Sequence, residues 1–249
     1  MIRQRDGRWV LAAVFAAVVC AATPAAAQTE ESSWNAEVSL GWDIALSGDF
    51  LAAAVGTLNG LPTTIESQSF GEVYGNGVQF QFSGGYMVDE INEVRGQVSY
   101  QRVGADLTTL GTVAGSDLVA TFDDYKAWTI EAGYRHYFAK RRERLRPYAG
   151  GTFGVSIISE IDGAFAAQQA GITRLATDFY DGTAALSLGF SGGVLYALTD
   201  RLDVNGQLGF RYNSGLSQID AFRDTGLEGI NDKSARWTMP ISVGLRYNF

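Results

Sequence analysis

The stretch "RWTMPISVGLRYNF", residues 236–249, decides how the rest of the chain is read. Trp237, Met239, Ile241, Val243, Leu245, Tyr247 and Phe249 are large and apolar, and between them stand Arg236, Thr238, Ser242, Gly244, Arg246 and Asn248. A period of two is the signature of a strand whose two faces meet different surroundings. Pro240 interrupts it: proline has no N–H to give a neighbouring strand, so a bulge or a locally open hydrogen bond is expected there.

Seven more runs upstream repeat the pattern. The first, "WNAEVSLGWDIAL", sets Trp34, Val38, Leu40, Trp42, Ile44 and Leu46 against Asn35, Glu37, Ser39, Gly41 and Asp43. "GVQFQFSGGYMV" and "EVRGQVSYQ" follow, the latter with Glu93, Arg95, Gln97 and Ser99 opposite Val94, Val98 and Tyr100. "AWTIEAGYRHYF" carries Glu131 and Arg135 on its polar side. "PYAGGTFGVSI" and "ALSLGFSGGVLYAL" have polar sides made almost wholly of Gly, Ser and Thr, and "LDVNGQLGFRY" carries Asp203 and Arg211.

The connections alternate too. "DEIN", "AKRRERLR" and "TDR" are short, whereas residues 48–76, 106–124, 160–182 and 213–235 are long. Long and short connections in turn point to an eight-stranded antiparallel up-and-down transmembrane β-barrel, with short periplasmic turns and four long extracellular loops. The runs match the roughly 9 to 11 residues that a tilted strand needs to cross a bilayer. Aromatic residues gather near their ends, as interfacial girdles do. A soluble lipocalin-like barrel explains the alternation equally well, but not the loop rhythm or the leader.

Residues 1–27 read as that leader: Arg3, Arg5 and Arg8, then an apolar core, then a small-x-small site at "ATPAAAQ". Its removal leaves one domain, residues 28–249, without the only cysteine, Cys20, and takes the net charge from −8 to −10. Such acidity argues against nucleic acid as a partner. Disulfides and thiolate metal sites have no cysteine to use, and no cofactor or metal motif appears.

In the closing eight residues, Ser242, Gly244, Tyr247 and Phe249 resemble the C-terminal signal by which outer-membrane proteins reach the barrel-assembly machinery. The mature chain resembles the OmpA-type outer membrane protein β-barrel superfamily of small eight-stranded barrels, which includes opacity-like and OmpW-like proteins. That resemblance implies export to the bacterial outer membrane, with outer membrane lipid and lipopolysaccharide as surroundings.

The polar face then lines a space that side chains of eight strands just fill. Its charges, Glu37, Asp43, Arg95, Glu131, Arg135, Asp203, Arg211, Arg236 and Arg246, form a candidate lumen network. Either the arginines fold against the small-residue wall or a narrow channel remains; filling is preferred. The acidic long loops are read as solvated, with cation binding as the lesser alternative. Two apolar loop stretches, residues 50–61 and 161–176, are expected to pack over the mouth as short helices, or else to mark a surface for a hydrophobic ligand or host partner. The turn with Lys140, Arg141, Arg142, Arg144 and Arg146 should meet anionic headgroups of the inner leaflet.

Some small barrels are lipid A deacylases or palmitoyltransferases, but a Ser/His/acid site needs a base set against a nucleophile. The one histidine, His136 in "YRHYF", sits among aromatic residues with no such partner nearby in sequence. The expectation is therefore a non-enzymatic envelope structural or surface protein. An OmpW-like conduit for small or hydrophobic solutes and a loop-mediated adhesin are the alternatives.

Overall fold

In the computed structural model, which describes residues 33–219, 222, 224–231 and 235–249, each alternating run becomes one long strand. The leader expected at residues 1–27 lies outside the described residues. β1 (Trp34–Ser47) comes first. The first outer loop then holds β2 (Asp49–Leu51), β3 (Ala54–Leu58), β4 (Leu61–Ile65), β5 (Gln68–Ser69) and one helical turn, α1 (Phe70–Val73). β6 (Gly77–Met87) and β7 (Asn92–Val103) lead to the outer hairpin β8 (Thr108–Val113) and β9 (Ser116–Phe122). β10 (Tyr125–Tyr137) and β11 (Leu145–Ile158) lead to the outer pair β12 (Ile161–Ala167) and β13 (Ile172–Asp181). β14 (Thr183–Ala197), β15 (Leu202–Asn213), the short β16 (Ser217–Gln218) and β17 (Arg236–Asn248) complete the order.

Eight strands, in the order β1, β17, β15, β14, β11, β10, β7, β6, close into an antiparallel barrel. The last strand pairs with the first, from Asn35 opposite Asn248 to Ala45 opposite Thr238. Closure gives every stave a neighbour on both sides, so that its backbone groups can pair as a hydrocarbon surrounding demands. The apolar face points outward: Trp42 is 55% exposed and Phe190 68%, whereas Ser39, Gln81 and Glu131 are buried. A continuous apolar band around a polar interior is the pattern of a barrel in lipid, and the reverse of a lipocalin-like core.

At Pro240 the ladder opens without a change of register. Pairs between β15 and β17 run from Leu202 opposite Tyr247 to Leu208 opposite Ile241, then resume at Arg211 opposite Thr238. Gly209 and Phe210 pass Met239 and Pro240 in the interval.

The expectation of short helices over the mouth is corrected. Residues 50–61 and 161–176 fold mainly as strands of a second, seven-stranded sheet, in the order β16, β13, β12, β9, β8, β4, β3. Local chemistry explains this. Asn59 (φ 52°) and Gly60 (φ 78°) form the two-residue turn that joins β3 to β4. Along β12, Ile161, Gly163, Phe165 and Ala167 are buried with a period of two, not of a helix. The fourth loop closes onto β3, Thr57 N donating to Thr225 O at 2.7 Å. Inside this extension lies an apolar core of Phe50, Phe70, Phe122, Phe165, Phe179 and Tyr180. Phe50 is its hub, with ring centroids 4.8 Å from Phe122 and 5.2 Å from Phe70. The core seats on the barrel mouth, where the inward-facing Arg236 lays its guanidinium 3.9 Å from the Tyr125 ring centre and 4.8 Å from that of Phe70.

Candidate functional site

Every second residue of eight strands points inward, so the lumen is a stack of polar layers. Nearest the short turns, Arg246 Nη1 donates to Glu93 Oε2 at 2.9 Å and Arg146 Nη2 to Asp203 Oδ2 at 2.5 Å. Asn248 Nδ2 donates to the same Asp203 oxygen at 3.0 Å, and the Tyr137 hydroxyl donates to Glu93. In the next layer Glu37 takes Arg135 at 3.3 Å, Arg95 at 3.6 Å and Asn205 Nδ2 at 2.7 Å. Arg135 also stacks 4.0 Å over the Tyr148 ring. Glu131 anchors the third layer, accepting from Gln97 Nε2 (2.6 Å), Ser187 Oγ (2.9 Å), Thr152 Oγ1 (3.1 Å) and Arg211 Nη2 (3.5 Å). Desolvated charges of this kind are tolerated because each carboxylate meets cations and neutral donors together.

The network does not take in all nine charges alike. Asp43 and Arg236 are buried toward the outer mouth, yet among the described residues neither Asp43 oxygen has a hydrogen-bond partner, and Arg236 rests on aromatic faces. The layers also use residues that sequence reasoning left out. Glu93 shares the polar side of its run with Arg95, and that parity was the available signal.

Arg146 corrects the reading of the basic turn. It is the first inward residue of β11, only 3% exposed and ion-paired to Asp203, so it belongs to the lumen and not to the surface. Its parity with Tyr148 and Gly150 could have revealed this. Lys140, Arg142 and Arg144 do stay exposed.

The small-residue wall of β11 and β14 makes room for this filling. A Cβ on Gly193 would stand 2.4 Å from the Tyr148 hydroxyl, and one on Gly189 2.4 Å from Thr152 Oγ1. Between Arg95, Gln97, Arg135, Thr152, Gln207 and Arg211 a cavity of about 20 Å³ remains, and one of about 10 Å³ lies by Gln79 and Ser242. Each is of the order of one water molecule.

His136 lies on the outer face near the short turns. Its Nδ1 is 2.9 Å from Asn92 Oδ1 and its ring meets Phe138 edge-on at 5.3 Å. Asn92 in turn donates to Asp89 at 2.7 Å. In the outer sheet Asp162 faces Asp178 across β12 and β13. Desolvation, then the charges of Asp178 and Asp123, raise the Asp162 carboxyl pKa. Among the described residues no three acidic, histidine or cysteine side chains converge as metal ligands. On β17 Ser242 and Gly244 face inward and Tyr247 outward, and Phe249, just past the strand, is exposed with its ring 5.2 Å from that of Tyr247.

With that geometry in view, the profile of the family described as "Outer membrane protein beta-barrel domain" matches residues 13–249. Neisserial surface protein A is similar in structure: 16% identity over 88% of this chain and 99% of that one, with a TM-score of 0.44. Ail, the attachment invasion locus protein of Yersinia pestis, is 13% identical over 88% and 100% of the two chains, with a TM-score of 0.41. The outer membrane protein OprG of Pseudomonas aeruginosa is 13% identical over 88% and 98%, with a TM-score of 0.38. No curated protein matches the sequence.

Proposed function

Because the chain belongs to the outer membrane protein β-barrel domain family, we infer that it is a non-catalytic protein of the bacterial outer membrane with a structural or surface role in the envelope. The observation that carries this reading is the filled lumen: beside its three ion-paired layers the cavities by Gln97 and by Gln79 hold about 20 and 10 Å³, of the order of one water each. The aromatic core on the mouth supports it from the outer side. Residues 28–249, refolded into a planar bilayer, should give no discrete conductance steps. Steps that change size in Arg95→Ala or Arg211→Ala would overturn the reading.

One observation favours a second reading, a narrow conduit. The ladder between β15 and β17 lacks its pairs where Gly209 and Phe210 pass Pro240, and the 20 Å³ cavity touches Phe190, Phe210 and Pro240 as well as the lumen arginines. Under that reading a small hydrophobic solute would cross through the wall, and Pro240→Thr should abolish its uptake into vesicles. An adhesin reading draws on the second sheet, which holds the outer loops in one shape; replacing β8–β9 would then remove surface attachment. For insertion, Ser242, Gly244, Tyr247 and Phe249 are the residues offered to the barrel-assembly machinery. Phe249→Ala should lower the folded yield in cells while leaving refolding in detergent unchanged.

A further inference from the structure

The charge at the short-turn end of the barrel is not spread evenly. The turn between β6 and β7 carries Asp89 and Glu90, and the turn between β14 and β15 carries Asp200 beside Arg201. Positive charge is concentrated in the turn between β10 and β11, where Lys140, Arg141, Arg142 and Arg144 stand with Glu143 alone.

The fold sorts these cations. Arg146 is withdrawn into the lumen by Asp203, and Lys140 reaches Glu90 of the neighbouring turn at 3.4 Å. Glu143 bends back toward the Lys140 backbone N–H, at 3.4 Å. Arg142 and Arg144 are left exposed on one tight turn, closed by Glu143 N donating to Lys140 O at 3.0 Å.

The turn is bracketed by apolar side chains. Phe138, 68% exposed, precedes it and Leu145, 54% exposed, ends it. Leu145 lies opposite Tyr196 of β14, and Ala197 N donates to Arg144 O at 2.8 Å, so the arginine backbone is held directly beside that outward pair. Guanidinium groups thus stand on the water side of a lipid-facing apolar rim. A molecule that matches both has a phosphate at one end and acyl chains at the other.

We propose that the turn binds the headgroup of an anionic phospholipid of the inner leaflet, with Arg142 and Arg144 on its phosphate and Phe138, Leu145 and Tyr196 against its chains. The occupant is a discrete lipid and not a diffuse belt, because the flanking turns carry no such excess of cations: Asp89 and Glu90 stand in one, and Arg201 is offset by Asp200 in the other. The proposal rests on the membrane location but is independent of whether the lumen conducts.

The test is native mass spectrometry of refolded residues 28–249 in detergent, titrated separately with phosphatidylglycerol and phosphatidylethanolamine. One phosphatidylglycerol per barrel should be retained preferentially. Removing one arginine should weaken retention about fivefold, and Arg142→Gln with Arg144→Gln by more than tenfold, the effect falling with salt. Arg102→Gln, an exposed arginine at the opposite end, should leave it unchanged. Glycerol phosphate should not compete at concentrations equal to the lipid, since it lacks the chains. Equal retention of both lipids, or undiminished retention by the double variant with its barrel folded, would overturn the proposal.

Discussion

Glu131 illustrates how this chain keeps charge inside a barrel. Its carboxylate is reached from β7, β10's neighbour on one side, from β11 and β14 on the other, and from β15 through Arg211. Removing one partner of such a group strands the rest without water. Arg246→Ala, which frees Glu93 in the same way, should destabilise the folded barrel by about 3–5 kcal/mol in urea titrations. Replacing both Arg246 and Glu93 with apolar residues of similar size should cost less than the single change. Outside the membrane, Ser69 and Glu72 cap α1: the Glu72 carboxylate accepts from Ser69 N at 2.7 Å and Ser69 Oγ accepts from Glu72 N at 3.3 Å. The backbone bond, then the side-chain bond, to Ser69 lowers the Glu72 pKa below 4.5. A lowered folded pKa means the cap's contribution is present above 4.5 and is lost as pH falls through the folded value. The exchange protection of the Phe70–Val73 amides, measured against the unstructured rate at each pH, should therefore fall on acidification below that value, and Glu72→Gln should remove that loss of protection.

Among the elements, β17 shows what a proline does in a wall without edges. Pro240 keeps register with Asp43 of β1, yet the ladder to β15 opens beside it. Pro240→Thr restores a donor and should close the gap, stabilising the barrel by about 1 kcal/mol and slowing exchange at Gly209 and Phe210. The proline was legible in the sequence, and so was the choice between a bulge and an open bond; which of the two occurs is seen only in the pairing with β15, which keeps one register on both sides of the gap. The outer hairpins were the less legible elements. Their alanine-rich composition suits a helix in isolation, and only the core of Phe50, Phe122, Phe165 and Phe179 rewards extended backbone there. Two small cues did point to strands: the Asn59-Gly60 turn and the period of two from Ile161 to Ala167.

At the scale of the molecule, one surface is apolar and the interior is charged, which inverts a water-soluble protein. Leu40, 54% exposed near the middle of β1, faces lipid. Leu40→Arg should cost roughly 2–4 kcal/mol in vesicles, the penalty for a cation at mid-membrane depth. In a soluble barrel the same position would be core, and the variant would not fold at all; a folded but weakened barrel distinguishes the two.

The sequence by itself determined the eight barrel strands, the faces they show and the rhythm of their connections. Those properties are local: a period of two assigns each side chain to a side whatever its neighbours are, and short connections force adjacent strands to pair. Which charges meet was decided only by the closed sheet. Arg246 finds Glu93, and Glu37 finds Arg95 and Arg135, across the lumen between staves that the chain order leaves far apart. The stagger of the barrel sets their heights, and no residue carries that information alone. The same closure left the Asp43 carboxylate without a hydrogen-bond partner among the described residues and set Arg236 on aromatic rings, drew Arg146 inside, and gathered four separate loops into one sheet on the mouth.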